Sequence, residues 1–230
     1  MILRSGENLS QPSSPLHPSQ NNAIFEAGEL LREMIVVHPY DPGTTMLKSV
    51  YEGLENVRLF DSWKRRREML TALVAAPREE PVLLLGHGCP NGLYDLRYGL
   101  ILNDMDAELL KDRPNLIGIW CYASDYAAKH GLKGFFSGMF ISEGREAADL
   151  NVVATEEEAH AKARDFSERL GALLREGLPL EKVARELMDP RHITDELTHF
   201  NYTRLTWRPT GKEPLPREVK WEEADRVFHK

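Results

Sequence analysis

Leu83-Leu84-Leu85-Gly86-His87-Gly88 and Leu116-Ile117-Gly118-Ile119-Trp120-Cys121 are the two stretches on which the fold turns. Each is a short apolar run of the kind that makes a strand buried on both faces of a parallel sheet. Each ends abruptly in a residue capable of chemistry, a histidine between glycines in the first and a cysteine in the second. In open α/β sheets the crevice at the carboxyl ends of the strands is where ligands bind. Neighbouring strands would bring His87 and Cys121 together there. A histidine beside a thiol is a common way of producing a nucleophilic thiolate near neutral pH.

Outward from these runs, strand and helix signals alternate. Met34 to Val37 is a short apolar strand, and His38-Pro39-Tyr40-Asp41-Pro42-Gly43 reads as a loop because prolines and a glycine punctuate it. The pattern predicts a helix from Thr45 to Leu54, a strand from Val57 to Phe60, and a helix from Trp63 to Ala75 that stops before Pro77. After the strand ending at His87, Cys89-Pro90-Asn91-Gly92 is turn chemistry, Gly99 to Leu102 is extended, and Asn103 or Asp104 caps a short helix through Leu110. Beyond Cys121 come a helix from Ser124 to His130, stopped by Gly131, and a strand from Phe135 to Ile141. Thr155-Glu156-Glu157-Glu158 is a capping box that opens a helix to Arg175, ended by Gly177. Pro179 suits the first turn of a further helix through Met188, and Tyr202 to Trp207 alternates like a last strand. Such alternation calls for an α/β fold with a largely parallel sheet covered on both faces. Residues 1–25 read as a disordered tail, because Ser10 to Asn22 is mostly Ser, Pro, Gln and Asn. Residues 26–210 read as one domain and 211–230 as a polar C-terminal tail.

The chain has 230 residues, 42% of them hydrophobic, enough for one full core, and a net charge of -7. That balance argues against a nucleic-acid partner, since phosphate binding wants a concentrated excess of Lys and Arg. The basic run Lys64-Arg65-Arg66-Arg67 falls inside a helical pattern and reads as a solvated face. No run of about 18 apolar residues occurs, so neither a membrane span nor a membrane partner is expected. The N-terminus lacks the apolar core of a secretory signal. Two cysteines, Cys89 and Cys121, are too few for a disulfide framework, which makes a reducing cytoplasm the expected location. A nucleotide-binding α/β protein would carry a glycine-rich phosphate loop, and none follows any strand. Zinc could accept His87, Cys89, Cys121 and His130, yet there is no Cys-x-x-Cys and no paired histidine spacing. No metal and no cofactor is expected.

Acyl transfer needs a nucleophile, a base, donors for the developing oxyanion and a pocket. Cys121 supplies the first and His87 the second, and the backbone N–H groups of Gly88 and Cys121 are the candidate oxyanion hole. The bland alternative is a cysteine acting as a small buried hydrophobe. Asp41 after the first strand, and Ser142 with Glu143 after the strand that follows Cys121, are the candidate substrate-binding residues. An acidic pocket there would favour a basic residue before the scissile bond. Glu143 has a competing reading as a helix cap or a surface partner of Arg145. Asp125, one turn past the cysteine, either lines the site or serves as an acid at a helix N-terminus. Trp120 faces opposite to Cys121 and is expected in the core. Cys89 is expected in the active-site loop, near enough to Cys121 for a disulfide under oxidation.

Leu85-Gly86-His87-Gly88, the following hairpin with Leu100-Ile101-Leu102-Asn103, and the apolar strand ending in Cys121 together resemble the caspase-like cysteine peptidases. The resemblance is greatest to the CHAT branch (caspase HetF associated with TPRs), with separase a further relation. Gly131 to Phe140 sits where such proteins carry the strand after the nucleophile, and Phe166 to Met188, broken at Gly177-Leu178-Pro179, is similar to their paired helices. It extends over about Leu83 to Trp207. What it implies is a three-layer fold with a mostly parallel sheet of about six strands, and a His87–Cys121 dyad with the Gly88 and Cys121 amides as oxyanion hole. It further implies a cysteine endopeptidase acting on a protein substrate or answering to a regulatory protein partner, in bacterial signalling or defence. Ile119 departs from the pattern, because relatives with an acidic pocket carry Gln or Asp two residues before the cysteine, so their substrate preference does not transfer. Tyr122-Ala123-Ser124-Asp125 also replaces the glycine-containing turn expected after the nucleophile. Both departures leave room for a catalytically inactive interaction module with the same fold.

Overall fold

The computed structural model describes residues 33–212. The expected N-terminal tail lies outside them, as does the expected C-terminal tail beyond Lys212. Strand β1 (Met34–Val37) leads through a 3-10 helix (Pro42–Val50) to β2 (Val57–Phe60), and a 3-10 turn (Trp63–Arg65) opens α1 (Arg66–Ala75), which returns the chain to β3 (Val82–Leu85). A meander of β4 (Gly88–Cys89), β5 (Gly92–Asp95) and β6 (Gly99–Asn103) follows, then α2 (Ala107–Leu110) and β7 (Leu116–Ile119). Helix α3 (Ala123–His130) connects to β8 (Gly134–Ser137). Four helices, α4 (Gly144–Asp149), α5 (Glu156–Arg175), α6 (Leu180–Leu187) and α7 (Glu196–Tyr202), then lead to β9 (Leu205–Arg208).

The main sheet has six strands in the order β2-β1-β3-β7-β8-β9. All neighbours run parallel except β9, which is antiparallel to β8. The meander β4-β5-β6 forms a separate antiparallel sheet. Every residue of β1, β3, β7 and β8 is buried, which is why these strands read as continuous apolar runs. Alternation divides them between two cores. Val36, Leu83, Leu85 and Ile119 pack with Phe166 and Leu170 of α5 and Val183 of α6. Ile35, Leu84 and Leu116 pack with Met69 and Leu73 of α1 and Tyr126 of α3 on the other face. Each such aliphatic side chain contributes about 1.5–3 kcal/mol by leaving water. The architecture is the expected three-layer α/β arrangement, a mostly parallel six-stranded sheet between helices.

Several boundaries differ from the sequence reading, each for a local reason. The helix expected at Thr45 to Leu54 is a 3-10 helix that starts earlier, because Asp41 caps it by accepting the Gly43 N–H and Pro42 fits its first turn. The strand expected to run from Phe135 to Ile141 ends at Ser137, because the backbone beyond it is claimed by other partners. Gly138 N–H donates to Arg204 O (2.8 Å), and Asn201 takes both the N–H and the C=O of Ile141 with its side-chain amide. Tyr202, expected to begin the last strand, instead ends α7, a helix capped by Asp195. The capping box at Thr155 and the helix to Arg175 are as expected, and Gly131 ends α3 in the left-handed conformation at φ 65°.

His38, the first residue after β1, is buried with its ring nitrogens 3.1 Å from Tyr51 Oη and 3.3 Å from Thr44 Oγ1. Those contacts tie the end of β1 to both ends of the 3-10 helix. Burial dominates its titration and lowers the imidazole pKa from 6.5 to about 4. The unfolded chain therefore takes up a proton near pH 6.5 that the native chain refuses until about pH 4, so this residue's contribution to stability is present above pH 6.5 and is lost as the pH falls to about 4. Urea unfolding at about pH 7 and about pH 4 should show a fall to which His38 contributes up to about 3 kcal/mol, and His38→Gln should flatten that part of the dependence.

Candidate active site

The register of β3 and β7 brings the two singled-out residues together. Leu85 pairs with Ile119, and the Gly86 N–H donates to Ile119 O at 3.1 Å, extending the ladder one step. His87 and Cys121 each lie two residues past that pair, on the same face by strand alternation. Both line one narrow cleft with room for about 20 Å3 of solvent, together with Thr44, Met46, Phe140 and Ser142. The cleft stands beside the place where strand order reverses, since the chain leaves β1 for β2 in one direction and continues through β3 and β7 in the other. Crevices at such switch points are where open α/β sheets bind ligands.

His87 Nε2 lies 3.2 Å from Asp41 Oδ1, and the same oxygen accepts the Gly43 N–H at 2.8 Å. Asp41, expected to read a substrate side chain, is thus the partner of the histidine. A Cβ on Gly43 would strike Glu143 Oε1 and stand 3.1 Å from Asp41 Oδ1 and 3.2 Å from His87 Nε2, so two carboxylates and the imidazole converge where glycine leaves room. Glu143 is the N-cap of α4, as its reading as a helix cap expects, and its Oε1 also stands by Gly43. Ser142 lines the cleft, but its N–H and hydroxyl both go to Glu146 Oε2, at 2.8 and 3.3 Å. Asp125 sits in the first turn of α3 and is not among the residues lining the cleft. The acid expected at a helix N-terminus is what the structure places there.

Cys121 hangs from a backbone fixed by two residues. The Ser137 hydroxyl, fully buried, accepts the Trp120 N–H (3.1 Å) and donates to Trp120 O (2.9 Å). The Trp120 indole N–H donates to Cys89 O (3.3 Å), and a Cβ on Gly88 would run into the Trp120 ring, so Gly88 is needed for this approach. Trp120 is in the core, as expected. Ser137 gave no sign in the sequence, where it reads as one more residue of an apolar strand. The Cys121 thiol donates to Phe140 O at 3.5 Å. Burial, then the carboxylates of Glu146 and Glu143, push its pKa up to about 12, so it is a thiol and not a thiolate at neutral pH. No hydrogen bond joins His87 to Cys121 among the described residues.

Tyr94 N–H donates to His87 O (2.8 Å), which makes His87 and Tyr94 a hydrogen-bonded pair and Gly88 with Leu93 the next, non-bonded one. The Gly88 N–H is therefore directed away from its hairpin partner. Cys89 and Cys121 are both free thiols with separate partners. Cys89 Sγ accepts the Asn91 N–H (3.3 Å) on the hairpin beside Trp120, the face opposite to Cys121. His130, the fourth residue of the possible zinc set, pairs with Asp104 at 2.8 Å, and no group of three metal-ligating side chains is placed to hold an ion among the described residues. No helix of the described residues is long and apolar enough to cross a membrane. Comparison with protein families, with curated proteins and with solved structures finds no match.

Tyr122, the residue after Cys121, takes the left-handed conformation at φ 69°, where the resemblance leads one to expect glycine. An aromatic residue there carries backbone strain of about 1–2 kcal/mol, and the turn it makes is what swings the chain from Cys121 into α3. Tyr122 is 38% exposed, so its truncation gives up only part of an aromatic side chain's burial, set against relief of this strain. Tyr122→Val should cost about 1–2 kcal/mol and Tyr122→Gly should leave stability unchanged or raised, as measured by thermal unfolding of the pair.

Proposed function

We propose that this chain is a cysteine endopeptidase of the caspase-like type, with Cys121 as nucleophile and His87 as general base. The observation that carries the reading is the equal offset of the two residues beyond the Leu85–Ile119 pair, which sets them side by side at one cleft. Asp41 holds Nε2, so Nδ1 is the ring nitrogen left to take the thiol proton. Because the thiol rests protonated, the proton passes to His87 as Sγ attacks the acyl carbon, and the Gly88 and Cys121 amides receive the oxyanion. Collapse gives a thioester, the amine leaves with the proton from the imidazolium, and water releases the acid in a second round. Glu143, whose Oε1 stands by Gly43 near the edge of the cleft, favours a basic residue before the scissile bond.

One observation favours a second reading, a catalytically inactive interaction module. The thiol is bonded to Phe140 O, away from His87, and its pKa lies well above the range of a working nucleophile. Fluorogenic peptides with Arg, Lys, Asp or Leu before the scissile bond, assayed on chains carrying Cys89→Ser, separate the two. The peptidase reading expects cleavage of the basic peptides, abolished by Cys121→Ala, and lowered about 10²–10⁴-fold by His87→Ala with a smaller loss for Asp41→Asn. Absence of cleavage, with Cys121 alkylation at a rate indifferent to His87→Ala, selects the module.

A further inference from the structure

Away from the cleft, a second surface is built for contact. Trp63, Leu70 and Val74, with Lys64, Arg66 and Arg67 among them, line an open groove of about 500 Å3 along the outer side of α1. Val74 is 69% exposed and Trp63 40%. The Trp63 ring stacks on Tyr98 in the turn between β5 and β6, with centroids 5.9 Å apart and planes 29° apart, and Tyr98 and Leu96 are themselves exposed. Contiguous apolar surface of this kind marks interaction sites, and Trp, Tyr and Arg are the residues enriched in them. The platform is also prebuilt. Asp95 accepts the Trp63 N–H with one oxygen (2.8 Å) and the Arg97 N–H with the other (3.0 Å), tying the start of α1 to that turn. A surface fixed before contact loses little freedom on binding.

Charge decides the occupant. Arg65 pairs with Glu68 at 2.8 Å and Arg66 with Asp106 at 2.7 Å. Lys64 and Arg67 are exposed on the groove wall and make no ion pair among the described residues. On a chain of net charge -7, two uncompensated cations above an apolar floor call for a ligand that offers carboxylates and apolar anchors together. Two free cations release too few counterions to hold a nucleic acid well. We infer that the α1 groove, between Trp63 and Val74, docks an acidic amphipathic peptide segment of a protein partner, laid in as a helix against Leu70. The surface is independent of the reaction proposed for Cys121.

The test uses the full chain and a labelled synthetic helical peptide with Leu at positions i, i+3, i+4 and i+7 and Glu elsewhere, titrated by fluorescence anisotropy. Its Lys counterpart and a single-stranded oligonucleotide serve as rival probes. The Glu peptide should bind in a salt-dependent way, about tenfold or more weakly to Arg67→Glu and to Val74→Asp, and with unchanged affinity to Cys121→Ala. Arg67 and Val74 are both exposed, and thermal melts of the two variants verify that they fold. Failure of the Glu peptide to bind, binding indifferent to both groove variants, or tighter binding of the oligonucleotide or the Lys peptide overturns the inference.

Discussion

One buried hydroxyl holds the point where β7 leaves the sheet. Ser137 takes the N–H of Trp120 and returns its own proton to the Trp120 carbonyl, which also accepts the Ala123 N–H at 3.1 Å. The buried Trp120 N–H left unpaired would cost about 1–3 kcal/mol, and with Ser137 the chain can turn out of the sheet without that cost. Everything at the cleft follows from this turn. The Trp120 ring is pressed against the Cα of Gly88 and its indole N–H reaches Cys89 O, so the segment after His87 is positioned by the residue before Cys121. The histidine loop and the cysteine loop are thus one packed unit across two strands.

The parts of this arrangement that are visible in the sequence are those set by local pattern. Leu83 to Leu85 and Leu116 to Ile119 announce themselves as strands because both faces are covered, and Thr155 announces α5 because its capping box is local. The juxtaposition of His87 and Cys121 is legible for the same reason, since two consecutive parallel strands ending in reactive residues have few other places to put them. Asp41 was visible as a polar residue at a strand end, but its partner was not, because the contact to His87 joins residues 46 apart in the chain and depends on how the 3-10 helix begins. Ser137 and Tyr122 were invisible for opposite reasons. A serine at the end of an apolar strand has no periodic signature, and a tyrosine at positive φ violates the residue preference that would have marked the turn. The short helix α7 leaves no signature in the sequence, and α4 shows only through Glu143 as a possible cap, because both are stabilised by caps and by packing more than by any long amphipathic repeat.

The electrostatics of the cleft are acidic and one-sided. Asp41 and Glu143 stand within reach of the same glycine, and Glu146 bonds the backbone of Ser142 and Glu143 close by. Carboxylates near a thiol oppose its ionisation, while a carboxylate on an imidazole favours the imidazolium once a proton arrives. The two effects divide the labour. In the proposed mechanism Asp41 supports the base, while burial first, and the carboxylates of Glu146 and Glu143 after it, hold the thiol protonated.

That division bears on how the proposed reaction would have to run. Because burial holds the thiol protonated, attack by a preformed thiolate would be limited by its scarcity. Transfer of the proton to His87 during attack avoids the scarce species, and it requires only that the Sγ–H leave Phe140 O for the imidazole. In the proposed reaction a basic substrate side chain beside Glu143 would offset one of the carboxylates that oppose ionisation of the thiol. The carboxylates that would favour such a substrate thus add to the burial that holds the thiol protonated at rest.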